Sequence, residues 1–275
     1  MAKKPLSKEE LDKICKQLRR DIMTMLFKAG SGHAGGSLGS VEIFAALYWN
    51  IMNIDPTNPQ WEGRDYFILS KGHVCPALYA VLGTLGYFPK EELWTLRKLG
   101  SILQGHPHRL KTPGVEASTG SLGQGLSISN GIAMALKRDG KANRVYCLMG
   151  DGEQDEGQIW EAAMTGAHYK LDNVCGIVDR NYLQIDGNTE EVMGLDNLAD
   201  KWRAFNWHAI ECDGHNVDAL TKAYTEAGTT KGKPTVIIAR TTKGKGVSFI
   251  ENKVDWHGKA PNKEEYEKAM AELAD

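Results

Sequence analysis

Apolar positions in this chain recur with two different periods, and the alternation between them predicts an α/β layout. Leu11, Ile14, Cys15, Leu18, Ile22, Met25 and Leu26 keep helical spacing and give one stripe. Ser7 with Glu10 forms a capping box ahead of them, so a helix is expected to run to about Lys28. Gly30-Ser31-Gly32-His33 stops it, and Ser40 is expected to cap a second helix over Val41–Asn50. The pattern then changes. Val145–Met149 and Val174–Val178 are short, continuous apolar runs, as expected of strands buried on both faces of a parallel sheet. Asp65–Leu69, Trp207–Cys212 and Thr235–Ala239 read as further strands. Helices are expected at about Pro76–Leu85, Pro89–Lys98, Leu126–Lys137, Gln158–Tyr169, Leu195–Asn206 and Asn216–Ala227. A last short helix, opened by Asn262, carries Tyr266, Met270 and Leu273 on one face. The expected fold is a doubly wound, mostly parallel sheet with helices on both faces, one domain spanning residues 1–275.

The unit from Val145 to Asn181 concentrates the chemistry. Its first strand ends in Gly150-Asp151-Gly152 and its second in Asp179-Arg180-Asn181, with the crossover helix between them. Two parallel strands therefore present oxygen-bearing side chains at one sheet edge, where open α/β sheets bind ligands. Asp151 and the Asn181 amide oxygen are hard donors, suited to Mg²⁺ or Ca²⁺. The glycines beside Asp151 let backbone N–H groups approach an anion. A bare Gly-Asp-Gly is more simply an N-cap turn of any α/β protein. The Asp-Arg-Asn one strand later reverses that reading, towards a diphosphate held with its metal.

Loops supply further candidates. His33 lies between glycines, and Ser70-Lys71-Gly72-His73 follows the first strand in the placement of the Gly-Asp-Gly turn. Residues 86–118 are largely loop and carry Gly105-His106-Pro107-His108-Arg109; a connection of this length in a compact domain is usually functional. His106 and His108 suggest a metal pair only weakly, since no Cys, Asp or third His stands nearby. Ser118 to Gly125 places three glycines at a helix N-terminus, open to close approach by a ligand or simply flexible. Thr241-Thr242-Lys243-Gly244-Lys245-Gly246 imitates a phosphate loop without the GxxxxGK[ST] arrangement and reads as an ordinary strand exit.

Composition narrows the classes. With 33 basic and 35 acidic residues among 275, the net charge of −2 gives no reason to expect nucleic acid or an anionic membrane as partner. The first twenty residues alternate charge without an apolar core, unlike a signal peptide, and no apolar run approaches the ~20 residues of a membrane span. Five scattered cysteines without a CxxC pair fit a reduced, cytoplasmic protein.

GDG-x28-N resembles the thiamine diphosphate motif. Together with GHAGGSLGS at 32–40, SKGH at 70–73, QGHP at 104–107, TGSLGQGLS at 119–127 and WHG at 256–258, it resembles transketolase in order and spacing. The resemblance covers nearly the whole chain, and only the N-terminal, diphosphate-binding half of the family. It implies thiamine diphosphate with Mg²⁺ (Ca²⁺ or Mn²⁺ substituting), the metal held by Asp151, the Asn181 side chain and the Leu183 carbonyl. It implies diphosphate contacts from Gly152, Asn181, His73 and His257, with Gly120, Ser121 and Leu122 lining the cofactor. His33, His106 and His257 would face the sugar's hydroxyls. Glu156 would reach across a subunit interface towards the glutamate that activates the cofactor ring. Ala34, Gly36, Lys71 and Ser121 depart mildly from the family pattern and bear on which ketose is used. The activating glutamate and its stacking aromatic come from a second domain, expected on a separate C-terminal subunit with two copies of each chain. The expected activity is transfer of a two-carbon ketol unit from a ketose phosphate to an aldose phosphate. Other readings are a related ketolase or ketoacid-decarboxylating half, a Mg²⁺-dependent phosphohydrolase using Asp151 and His106, or a non-catalytic cofactor-binding subunit.

Overall fold

In the computed structural model, which describes residues 5–274, the expected strands assemble around the Gly-Asp-Gly turn. The strands are β1 (Tyr66–Leu69), β2 (Val145–Gly150), β3 (Val174–Arg180), β4 (Leu183–Gln184), β5 (Gly187–Asn188), β6 (His208–Asp213) and β7 (Thr235–Arg240). Five of them form one sheet in the order β1-β2-β3-β7-β6, every neighbouring pair parallel. β4 and β5 make a separate antiparallel hairpin just past the end of β3. Residues 1–4, which open the stretch read above as lacking a signal peptide, and Asp275 lie outside the described residues. No helix among the described residues is long and apolar enough to cross a membrane.

Side chains alternate across the sheet and feed two cores, which is why the strands are apolar without interruption. Tyr146, Leu148, Cys175, Ile177 and Ile237 join residues of the helices Lys8–Ala29, Cys75–Leu85 and Val217–Thr229. Val145, Cys147, Met149, Val178 and Ile238 join those of Gln124–Arg138, Gly157–His168 and Leu198–Ala204. The doubly wound expectation holds. Register places Gly150 opposite Asp179, so the β2 and β3 exits lie side by side.

Local departures have physical causes. The capping box at Ser7 forms, and Gly30 in the left-handed conformation closes the first helix. Ser40 does not cap the next one. Helical turns already run over Ala34–Gly39, continue over Val41–Ala45, and widen over Ala46–Ile51. Burial of all six residues of Ala34–Gly39 overrides the weak helix propensity of its three glycines, and the Ser40 hydroxyl donates back to the Gly36 carbonyl at 2.8 Å. The helix expected at Pro89–Lys98 is a tight turn over Lys90–Thr95, and that expected at Leu195–Asn206 shortens to Leu198–Ala204. Asn262 completes a second capping box, and Tyr266 stacks on Phe27 at 4.4 Å, docking the last helix on the first.

One buried charge cluster ties the first helix to the loop after β7. Arg19 grips Glu42 with both ends of its guanidinium, at 2.7 and 2.8 Å, and its Nε donates to the Lys245 carbonyl. His215 Nδ1 lies 3.0 Å from Glu42, while its Nε2 accepts the Thr242 N–H at 2.7 Å, which puts the imidazole proton on Nδ1. Burial alone would raise the Glu42 carboxyl; the Arg19 charge and His215 outweigh it and hold it at about 2. Removing one partner of a buried ion pair strands the other. Glu42→Ala should therefore cost ~3–5 kcal/mol in urea unfolding, whereas a loss below about 1 kcal/mol would mean that Arg19 finds a substitute.

Candidate functional site

A cavity of about 310 Å³ opens where β2 and β3 end. The strand exits deliver Gly150, Asp151 and Gly152 from one side and Asp179 and Asn181 from the other. His73, Leu122, Leu183, His257 and the exposed Glu156 also line it. Eight of the candidates named from sequence thus share one cavity. His33 stands behind it, its ring 5.1 Å from His73 and 5.8 Å from His257. His106 is exposed, and its ring packs against Gly120: a Cβ built there would lie 2.8 Å from His106 Cδ2. With φ of +149° as well, position 120 admits only glycine. Ser121 is exposed beside it.

Beneath the cavity floor, Asp179 is fully enclosed by donors. Lys71 Nζ donates to Asp179 Oδ2 at 2.5 Å and to Ser40 Oγ at 2.8 Å. The Asn181 amide donates to the same carboxylate at 3.0 Å, and the Thr241 hydroxyl donates to its other oxygen. Burial pushes the Asp179 carboxyl up, but Lys71 and the hydrogen bonds prevail, leaving it below the ordinary range.

Asp151 is the opposite case. It is 2% exposed and accepts the Gly152 N–H at 2.9 Å and the Tyr182 N–H at 2.6 Å. Its nearest cation, Arg180, is 3.5 Å away and is shared with Glu190 and Asp196. Burial and the Asp179 charge raise the carboxyl to about 6, so the pocket is short of positive charge at this point. The neighbouring Leu183 carbonyl already draws a cation, accepting from Lys243 Nζ at 2.8 Å. Among the described residues no three His, Cys, Asp or Glu side chains converge as a metal cluster. The donor set is one carboxylate, one amide oxygen and one carbonyl, all hard. It fits a divalent cation accompanied by an anionic ligand that completes the shell.

The histidines are tuned the other way. Burial, then Arg97, His106 and Lys243, lowers His33 to about 4. Burial, then Lys243, His33 and Lys71, lowers His257 to about 3. Burial, then Lys71, holds His73 well below its ordinary value, and His106 is lowered by burial and then Arg97. All are neutral near pH 7, each with one donor and one acceptor nitrogen. Lys243 Nζ lies 2.9 Å from His257 Nδ1; a lysine has no acceptor while charged, so His257 carries its proton on Nε2.

Lys243 is the residue that sequence reasoning missed. Its Lys-Gly-Lys-Gly context reads as a strand exit, yet the side chain is buried in the cavity wall, lowered to about 8 by burial against the pull of Asp151 and Asp179. The available signal was position: β7 neighbours β3, so its exit opens on the same edge as Asn181. Ile185, 66% exposed at the rim, was also passed over.

Comparison with known proteins agrees with this geometry. The family model for the transketolase thiamine diphosphate binding domain matches residues 11–274. One of the subunits of the apulose-4-phosphate transketolase of Phocaeicola vulgatus is 44% identical, over 97% of this chain and 95% of its own length. The 6-deoxy-6-sulfo-D-fructose transketolase subunit SqwG of a Clostridium species is 47% identical, over 93% of each chain. Human transketolase is 42% identical over 94% of this chain, which spans 41% of its length. The crystal structure of transketolase from Campylobacter jejuni superposes with a TM-score of 0.92 at 33% identity, covering 98% of this chain and 43% of that one.

The Asp151 carboxyl sets a pH test. Its folded value of about 6 lies above its ordinary 3.8, so between those values the folded chain binds the extra proton. Stability is therefore lost as pH rises from about 4 through about 6. Asp151→Asn should stabilise the ligand-free chain at pH 7.5 by at most ~3 kcal/mol, with the gain disappearing near pH 4. Melting temperatures of both proteins across that range decide it; an equal difference at both ends would show that Asp151 is not held protonated by its surroundings.

Proposed function

We propose, on the premise that this chain belongs to the transketolase family as its N-terminal, thiamine diphosphate-binding domain, that it is one subunit of a split ketol transferase. With a C-terminal subunit, in two copies of each, it moves a two-carbon ketol unit from a ketose phosphate to an aldose phosphate. The whole chain serves as a single diphosphate-binding domain. The observation that carries the reading is the pairing of a charge-deficient oxygen site at Asp151 with neutral, converging histidines in one cavity. Near end-to-end similarity to relatives named as single subunits supports a partner on another chain.

Residue roles follow from the donors and acceptors present. Asp151, the Asn181 amide oxygen and the Leu183 carbonyl would hold Mg²⁺, or Ca²⁺ or Mn²⁺ in its place, which neutralises the diphosphate. Thiamine diphosphate, when bound, supplies the nucleophilic carbon and the electron sink for carbon–carbon cleavage. Gly152, His73, Asn181 and His257 would hold the diphosphate end, and Gly120, Ser121 and Leu122 would line the cofactor's flank. Lys243, which donates to the Leu183 carbonyl, would add positive charge on the same side. His33, His106 and His257 would stay neutral, so each offers the sugar hydroxyls one donor and one acceptor nitrogen. Glu156, exposed at the rim, stands where a partner's carboxylate would meet it. Ile185, Val192 and Met193, all exposed on one stretch, offer that partner apolar surface.

Two experiments test this. Purified alone with Mg²⁺, thiamine diphosphate, a ketose phosphate and an aldose phosphate, the chain should give no turnover; adding the C-terminal subunit should restore it. Permanent interfaces of this kind bury roughly 2,000–5,000 Å², so the lone chain should also self-associate. Robust turnover by the single polypeptide would overturn the split reading. In the assembled enzyme, His106→Ala should lower the rate by ~10²–10⁴ while melting temperature and cofactor affinity stay near wild type. A large melting shift would place His106 in the fold.

A further inference from the structure

Glu153 has no role in the chemistry above, yet it is 2% exposed and borders the cavity. Its carboxylate collects donors from three separate segments. Oε1 accepts the Ser70 hydroxyl, at the end of β1, and the Gly123 N–H at 2.8 Å. Oε2 accepts the Gly150 N–H at 2.9 Å, at the end of β2. Ser70 Oγ in turn accepts the Gly125 N–H at 3.1 Å. The loop so gripped has little else to hold it. Thr119 donates to the Leu69 carbonyl at one end, Gly120 and Gly123 both take positive φ, and Gly123 caps the following helix with no side chain of its own. The contact is close as well as polar: a Cβ at Gly125 would lie 2.4 Å from Ser70.

We propose that Glu153 is a positioning residue that locks the Gly120–Leu122 wall of the cavity to the Gly-Asp-Gly turn, so that both walls of the cofactor site are set before any ligand arrives. The inference rests on the cofactor reading above for its purpose, and on the hydrogen bonds alone for its mechanics. Both carboxylate oxygens are acceptors here. A glutamine of the same shape turns an N–H₂ towards either the Gly150 N–H or the Gly123 N–H and Ser70 hydroxyl, setting donor against donor. A buried donor left without an acceptor is costly enough to change a local equilibrium on the order of tenfold or more.

The test uses the full chain. In the unliganded protein, Glu153→Gln should speed hydrogen–deuterium exchange of the 119–127 amides on the order of tenfold, with exchange in β3 and β7 unchanged. In the assembly with the C-terminal subunit, calorimetry should show thiamine diphosphate with Mg²⁺ binding on the order of tenfold more weakly. Ser70→Ala, which removes one donor and strands only the Gly125 N–H, should loosen the same amides by less, and it decides the matter if Glu153→Gln does not fold. Unchanged loop exchange, or an increase spread evenly over the sheet, overturns the proposal. If the wild-type assembly binds no thiamine diphosphate, the functional reading fails, while loop exchange still judges the role of Glu153.

Discussion

The site hangs on the buried pair between Lys71 and Asp179. Each charge alone would be expensive at this depth, and neither has access to water. Together they join four pieces of chain that are far apart in sequence. Lys71 leaves β1 and Asp179 closes β3; Ser40 belongs to the helical turns before the sheet, and Thr241 follows β7. The cavity floor exists because these exits converge on one carboxylate. Asn181 is aimed from the same point, since its amide donates to Asp179 and its oxygen accepts from the Leu183 N–H. The neighbouring Asp151 is served differently: it accepts two backbone N–H groups, and the Arg180 beside it is shared with Glu190 and Asp196.

That contrast extends to the imidazoles. Asp151 is held above its ordinary range and the imidazoles of His33 and His257 below theirs, in each case through burial first. Each of these groups is thereby shifted towards its neutral form, the imidazoles most fully. The hard oxygens of Asp151 and Asn181 suit a divalent cation, and the buried Lys243 suits an anion beside it.

Much of this was legible in the sequence because the strands report their own burial. Continuous apolar runs gave the parallel pairing of β2 and β3, and their ends gave Asp151 and Asn181. What stayed hidden depended on which strands are neighbours. Lys243 enters the site because β7 inserts beside β3 rather than following β6 outward, an ordering no local pattern announces. Glu153 and the role of Lys71 stayed hidden for a related reason: their partners are backbone amides, hydroxyls and a carboxylate brought together only by the fold. The Ala34–Gly39 turn escaped because its helix is imposed by tertiary burial, against the propensity of its glycines.

The Arg19–Glu42–His215 cluster has a consequence for how such a chain can diverge. Glu42 serves two masters, the guanidinium of the first helix and the imidazole that holds the Thr242 N–H one residue before Lys243. A change at position 19 is therefore never confined to the helix that bears it. Loss of that charge alters what Glu42 asks of His215, and through it the backbone that carries an amine into the cavity. These three positions are coupled in space, and substitutions at any one of them are expected to be tolerated only in company.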